Sequence, residues 1–245
     1  MGKYAKWIGG GLGWFFGGPL GALLGFAVGS VFDGTGSREG TTTSFRGRKY
    51  NTTAGDFALS LIVLIAAVMK ADDKVVRSEL DYVKNFFRNQ FGDDTANEAL
   101  LMLRDLLKQD IPVADVCRQI SRNMEYSSRL QLLHMLYGIS ASDRHIHERE
   151  LRAIESIGSY LNISIKDRES IKNMFIPSDD AYYKILEINP GASNGEVKKA
   201  YRSMARKYHP DMVNHLGEDF KEIAHDKFRK VNEAYEKIKK SRNMS

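Results

Sequence analysis

The sequence predicts an all-α protein in three parts: an N-terminal glycine-rich transmembrane helix, a helical bundle, and a C-terminal helical hairpin. Three observations lead there. From Trp7 to Phe32 the chain carries no charged residue. From Ala54 to Ile176 apolar residues recur at helical spacing in one segment after another. Beyond Asp179, two amphipathic segments flank a His-Pro-Asp turn. The expected boundaries are 1–33 for the anchor, 34–53 for a flexible linker, 54–176 for the bundle and 179–245 for the hairpin domain.

Bulk properties exclude several function classes. The 245 residues hold one large domain or two small ones. Lys and Arg number 36 against 31 Asp and Glu, a net charge of +5. That charge is spread along the chain, with no dense basic run interleaved with aromatics, so nothing calls for nucleic acid. The single cysteine, Cys117, has no internal disulfide partner, which fits a reducing compartment. Neither GxxxxGK[ST] nor HExxH occurs, so an intrinsic nucleotidase or zinc protease has no support.

The uncharged stretch Trp7–Phe32 suits a bilayer span, which needs about 20 apolar residues. Gly9, Gly13, Gly17, Gly21, Gly25 and Gly29 fall at every fourth position. On a helix they form a smooth stripe that a second backbone can approach closely, so a homodimer through Gly13, Gly17, Gly21, Gly25 and Gly29 is expected. The alternatives are a hairpin hinged at Gly17-Gly18-Pro19, or packing of the stripe on another part of the chain. Lys3 and Lys6 precede the segment, while Arg38, Arg46, Arg48 and Lys49 follow it. This bias predicts a single pass with the following domains in the cytoplasm. Gly34 to Thr53 is rich in Gly, Ser and Thr and reads as a flexible linker.

In the middle region, Phe57 to Met69 is almost continuously apolar and too short to span a bilayer, so it reads as the buried central helix of a bundle. Core faces follow at Tyr82, Val83, Phe86 and Phe87, at Leu100, Leu103, Leu106 and Leu107, and at Leu130, Leu133, Leu136 and Tyr137. Leu151, Ile154, Ile157 and Leu161 mark another, and Ile171, Met174 and Phe175 close the set. Pro112 is expected in the first turn of the helix that follows it.

This region repeats internally. Ala71-Asp72-Asp73-Lys74-Val75 through Glu79-Leu80 aligns with Ser142-Asp143-Arg144-His145-Ile146 through Glu150-Leu151. The pattern resembles the TerB-like (tellurite-resistance B) helical domain, whose two loops carry Ala-Asp-Gly…Glu-Leu. Here Asp73 and Arg144 stand where that pattern has glycine. Asp72 and Asp143 read first as helix caps, with Glu79 and Glu150 as first-turn carboxylates favoured by the helix dipole. The alternative is that Asp72, Glu79, Asp143 and Glu150 converge on a divalent metal cation, since hard cations take several carboxylate oxygens. No other cofactor is called for. His145 and His147 read as loop surface.

At the C-terminus, Val197, Ala200, Tyr201, Met204, Ala205 and Tyr208 make one face of a helix, and Lys198, Lys199, Arg202, Arg206 and Lys207 make the other. Pro210 disfavours helix at His209 and ends it. Phe220, Ile223, Ala224, Phe228, Val231, Tyr235 and Ile238 face one way on a second helix, giving two antiparallel helices with His-Pro-Asp at the turn. Ser193 and Glu196 read as a capping box at the start of the basic helix.

The blocks Tyr182-Tyr183-Lys184-Ile185-Leu186, Ala200-Tyr201-Arg202 through His209-Pro210-Asp211, and Lys227-Phe228-Arg229 through Ala234-Tyr235 resemble the J domain of the DnaJ co-chaperones. The resemblance implies that His209, Pro210 and Asp211 engage a DnaK-type chaperone in its ATP state. It also implies that Lys198, Lys199, Arg202 and Arg206 dock on an acidic patch of that chaperone. Tyr182, Leu186, Tyr201, Met204, Phe228 and Tyr235 are expected in the core. No enzymatic chemistry of its own is implied.

The three parts together resemble the DjlA-type membrane-anchored DnaJ proteins of the bacterial inner membrane, as does the hydrophobic turn Met212-Val213-Asn214-His215-Leu216-Gly217. Those proteins often carry a long linker before the J domain, where this chain has only Pro177-Ser178-Asp179. The J domain is therefore expected close to the bundle. The chain has no Gly/Phe-rich segment and no CxxCxGxG repeat, so client choice falls to the TerB-like part or to membrane location. The competing expectation is a metal- or envelope-stress sensor with the J domain as its output.

Overall fold

Leu61, Ile62, Val63, Leu64 and Ile65 sit at the centre of the first long helix, α1 (Ala54–Ala71), and every residue from Asp56 to Met69 is buried. The computed structural model describes residues 18–23, 53–71, 77–142, 146–216 and 218–244, and among them there is no strand. A helix that is apolar all round is stable only when neighbours cover it on every side. Around α1 lie α3 (Asp93–Leu106), α4 (Val113–Asn123), α5 (Tyr126–Ser140) and α6 (Glu148–Tyr160). Its start is closed reciprocally: the Thr53 amide donates to Asp56 Oδ2 at 2.9 Å and the Asp56 amide to Thr53 Oγ1 at 3.2 Å.

Before α3 comes α2 (Arg77–Phe91), and the two pack against each other across Gly92. Gly92 has φ +82°, a left-handed conformation that favours glycine, and it lets the chain reverse in one residue. On α2, Val83 and Phe87 are buried and Phe86 is half-buried, but Tyr82 is 42% exposed, against the expectation that it joins the core. The ring sits at the edge of the helix face: its hydroxyl lies beside Gly138 of α5, where burial raises its pKa, while the side chain as a whole stays partly open to solvent. Leu103, Leu106, Ile154, Ile157, Leu161, Ile171 and Met174 lie in the core as expected.

The helix carrying Leu130 and Leu133 differs from its amphipathic expectation in degree. On α5, Ser128, Gln131, His134 and Ser140 are buried along with the leucines. One side faces α1. Others meet α6 and α7 (Ile165–Asn173), and the C-terminal hairpin covers what remains.

That hairpin consists of α8 (Ala181–Ile185), α9 (Asn194–Lys207), a 3-10 turn over Pro210–Leu216, and α10 (Glu218–Ser241). The pairs run in opposite directions. Arg242 hydrogen-bonds to the Ala192 and Pro190 carbonyls. The Tyr201 ring stacks on Tyr235 at 4.2 Å and its hydroxyl donates to Asn232 at 3.0 Å. Lys227 lies over Tyr208. The helices are therefore antiparallel, as the sequence predicts. Leu186 and Met204 are buried, and Tyr201, Phe228 and Tyr235 are half-buried. Tyr182 departs from expectation at 40% exposed. In a five-residue helix Ala181 and Ile185, four apart, share the inward face, and Tyr182 is turned away from it.

The short link is itself ordered by contacts. Ser178 Oγ donates to Asn173 Oδ1 at 2.7 Å, and Lys184 pairs with Asp180 at 2.7 Å. The hairpin lies directly on the bundle: α10 contacts α2 and α5, α8 contacts α7, and the 3-10 turn contacts α1 and α5. Buried apolar residues form one continuous cluster through both.

Of the uncharged N-terminal segment, residues 18–23 are described. Positions 19–23 form a helical turn against α4, with Leu20 fully buried and its amide donating to Gln119 Oε1 at 3.0 Å. Gly21 lies in this turn, while Gly13, Gly17, Gly25 and Gly29 lie outside the described residues. Among the described residues no helix is long and apolar enough to cross a membrane.

Candidate functional site

The basic helix α9 opens on the predicted box: the Ser193 amide donates to Glu196 Oε2 at 2.7 Å and the Glu196 amide to Ser193 Oγ at 3.3 Å. The backbone amide and hydroxyl of Ser193 hold the Glu196 carboxyl below its ordinary range. Val197 and Met204 are buried, and Ala200 and Tyr201 partly so. Lys198, Lys199, Arg202 and Arg206 are all exposed along the other side. The sequence pattern and the structure therefore place the same four cations on one open face.

The helix stops at Lys207, with the Tyr208 amide donating to the Met204 carbonyl at 2.9 Å. His209 is half exposed, its ring edge-on to Phe228 at 5.8 Å, and its Nδ1 accepts the Asp211 amide at 3.2 Å. Asp211 is 71% exposed and its Oδ1 accepts from Asn214 Nδ2 at 3.3 Å. Pro210 is buried, as are Val213 and Leu216, so the turn is rooted by its apolar residues while His209 and Asp211 point outward.

Sequence reasoning missed what lies behind the turn. Lys207 belongs to the cationic face by spacing, yet it is half-buried and pairs with Asp167 at 2.6 Å and Glu187 at 2.7 Å. The Tyr208 hydroxyl donates to Asp167 Oδ1 at 3.1 Å. Asp167 belongs to the bundle, in the first turn of α7, and is 3% exposed. Ser164 Oγ and Tyr126 Oη donate to its Oδ2 at 2.6 and 2.7 Å. Burial pushes this carboxyl up, but the Lys207 ammonium and the Ser164 and Tyr126 hydroxyls outweigh it and hold it below its ordinary value. Burial would lower the Lys207 ammonium, and its two carboxylates reverse that. Tyr208 is driven well above its ordinary value by burial and then by the Asp167 and Glu187 charges. The available signal was Ser164-x-x-Asp167, a helix start that identifies a cap but not a partner about forty positions away in another part of the fold.

More of α10 is tied to the bundle. Lys230 Nζ donates to the Met174 carbonyl at 2.8 Å and lies 4.8 Å over the Phe175 ring. Lys227 is 2% exposed with its Nζ 5.0 Å over the Tyr208 ring.

Of the four repeat carboxylates, Asp72 and Asp143 and the side chain of Glu79 lie outside the described residues. Glu150 is buried and its Oε2 accepts the His147 amide at 3.1 Å, which is a cap at the start of α6. Among the described residues no group of three or more His, Cys, Asp or Glu is arranged to hold a metal ion.

Comparison with known proteins agrees with this layout. The family model for the co-chaperone DjlA transmembrane domain matches residues 1–48, that for tellurite resistance protein TerB residues 58–173, and that for the DnaJ domain residues 181–244. The co-chaperone protein DjlA of Coxiella burnetii is 23% identical over 269 aligned residues, covering 100% of both chains. A curved DNA-binding protein of Pseudomonas syringae pv. tomato is 49% identical over 55 residues, 22% of this chain and 16% of that protein. The chaperone protein DnaJ of Acetivibrio thermocellus is 51% identical over 55 residues, 22% of this chain and 13% of that one. The chain thus spans only about a sixth or less of these last two relatives. No solved structure matches it. The order of anchor, TerB domain and DnaJ domain, joined to full-length similarity with a relative of that name, places this chain in the DjlA family of membrane-anchored J-domain co-chaperones.

Proposed function

We propose that the chain stimulates ATP hydrolysis by a cytosolic DnaK-type chaperone through His209, Pro210 and Asp211, with Lys198, Lys199, Arg202 and Arg206 docking on an acidic surface of that partner. The carrying observation is the division of α9: its apolar residues are buried against α10, while the four cations and the outward side chains of the turn are exposed together. Opposite charges in this arrangement speed encounter and set orientation, which suits a transient partner. His209 and Asp211 then meet the chaperone at the end of that docked helix. The chain does no chemistry of its own in this reading. The working units in this reading are 54–176 and 179–245, and the excess of Lys and Arg after the anchor supports a cytoplasmic side for both. A homodimer through the glycine stripe belongs to the same reading and is open to crosslinking in membranes.

The test is the ATPase rate of a DnaK-type chaperone with the full chain in detergent micelles, beside the same chain carrying His209→Gln. Stimulation by the wild type and none by the variant supports the proposal. Equal rates with and without the wild-type chain would sink it.

A further inference from the structure

We propose that Asp167, a residue of the bundle, is a positioning residue for the His-Pro-Asp turn, holding the last turn of α9 from outside the J domain. This rests on the reading above that the turn stimulates a DnaK-type chaperone. Lys207 and Tyr208 are the two residues immediately before His209, and one carboxylate binds both, at 2.6 and 3.1 Å. Fixing those two residues fixes the direction in which the chain enters the turn.

Asp167 is built to hold this position. Its Oδ2 receives the Ser164 and Tyr126 hydroxyls, which lock its rotamer, and its own amide donates to Ser164 Oγ at 3.2 Å. Tyr126 Oη also accepts the Ser164 amide at 3.0 Å, so α5 and the start of α7 are tied into the same network. Contacts to an ionised carboxylate in a buried setting are stronger than neutral ones. Glu187 grips Lys207 from the J-domain side at 2.7 Å. Pro210, Val213 and Leu216 then seat the turn itself, which packs on α1 and α5. The four docking cations lie on the exposed face of α9, away from this network. Asp167 therefore acts on the geometry of the turn and not on encounter with the partner, and the bundle and J domain work as one body.

The experiment measures single-turnover ATP hydrolysis by a DnaK-type chaperone against the concentration of full chain in detergent micelles. It compares the wild type with Asp167→Asn, Tyr208→Phe and the double variant. Tyr208→Phe keeps the buried ring and removes only the hydroxyl, and circular dichroism checks that each variant retains its helices. Each single variant is expected to cut the maximal rate by roughly tenfold or more, the usual worth of a hydrogen bond to a charged group. The half-saturating concentration stays within about twofold, because the docking face is untouched. The double variant falls no further than Asp167→Asn, since both changes break the same contact. Maximal rates equal to wild type in both single variants, with His209→Gln inactive, would overturn the proposal and leave the co-chaperone reading standing. Rates that rise would overturn it too, by showing that the contact restrains the turn. A wild type that gives no stimulation removes both.

Discussion

His134 Nε2 lies 3.7 Å from Asp226 Oδ2, across the seam between α5 of the bundle and α10 of the J domain. The histidine is buried, with its ring edge-on to Phe175 at 4.8 Å. Burial holds its pKa well below 6.5, and Lys227 and Lys230 push it the same way. It is therefore neutral in the folded chain, whereas the unfolded chain takes up a proton at about pH 6.5. The stability tied to His134 is complete above that value and is lost as pH falls below it. Melting temperatures are expected to drop between about pH 7 and about pH 5, with a shallower slope for His134→Gln.

Lys227 gives the same sign on the alkaline side. Burial pulls its pKa down to about 7, with the Asp167 charge opposing only in part. Between that value and its ordinary 10.5 the unfolded chain holds a proton that the folded chain does not, so stability rises with pH across the interval. Lys227→Met removes the burial penalty and keeps the volume. It is expected to raise stability near neutral pH by about 1 kcal/mol or more, read from urea unfolding, and to flatten the alkaline slope.

The cap at Ser193 is a local test of helix α9. Ser193→Ala loses the acceptor for the Glu196 amide and is expected to cost about 1 kcal/mol in urea unfolding. Because the box lies at the far end of α9 from His209, the ATPase stimulation should change far less than the stability.

Arg202→Glu reverses a charge in the middle of the exposed face and leaves the buried contacts in place. At low salt it is expected to raise the half-saturating concentration for a DnaK-type chaperone by about tenfold or more. The gap between variant and wild type should narrow near 1 M salt, where the screening length is only about 3 Å. An unchanged half-saturation at low salt would remove Arg202 from the docking surface.

Apolar period, caps and a turn residue are local signals, and the elements that depend on them were legible in the sequence. Phe57 to Met69 announced a helix covered on all sides, and α1 is one. Ser193 and Glu196 announced the start of α9, and Pro210 its end. The exposed cations of α9 follow from the same period, because four charges on one stripe have no apolar surface to share. Tyr82 is more exposed than its spacing implies because spacing assigns a face but not its edge, and Tyr182 because a five-residue helix gives its inward face to Ala181 and Ile185.

Helical class, the order of the three parts, the His-Pro-Asp turn and the charged stripe beside it were therefore determined by the sequence itself, since each is a property of a few neighbouring residues. Only the tertiary structure decided that Lys207 leaves that stripe for Asp167, that Tyr208 joins it there, and that His134 and Lys227 are buried where the two helical units meet. A short link and a shared apolar cluster bring α7, α9 and α10 together. A charge buried by that contact takes its partner and its pKa from whatever the packing places beside it, and sequence spacing carries no record of that.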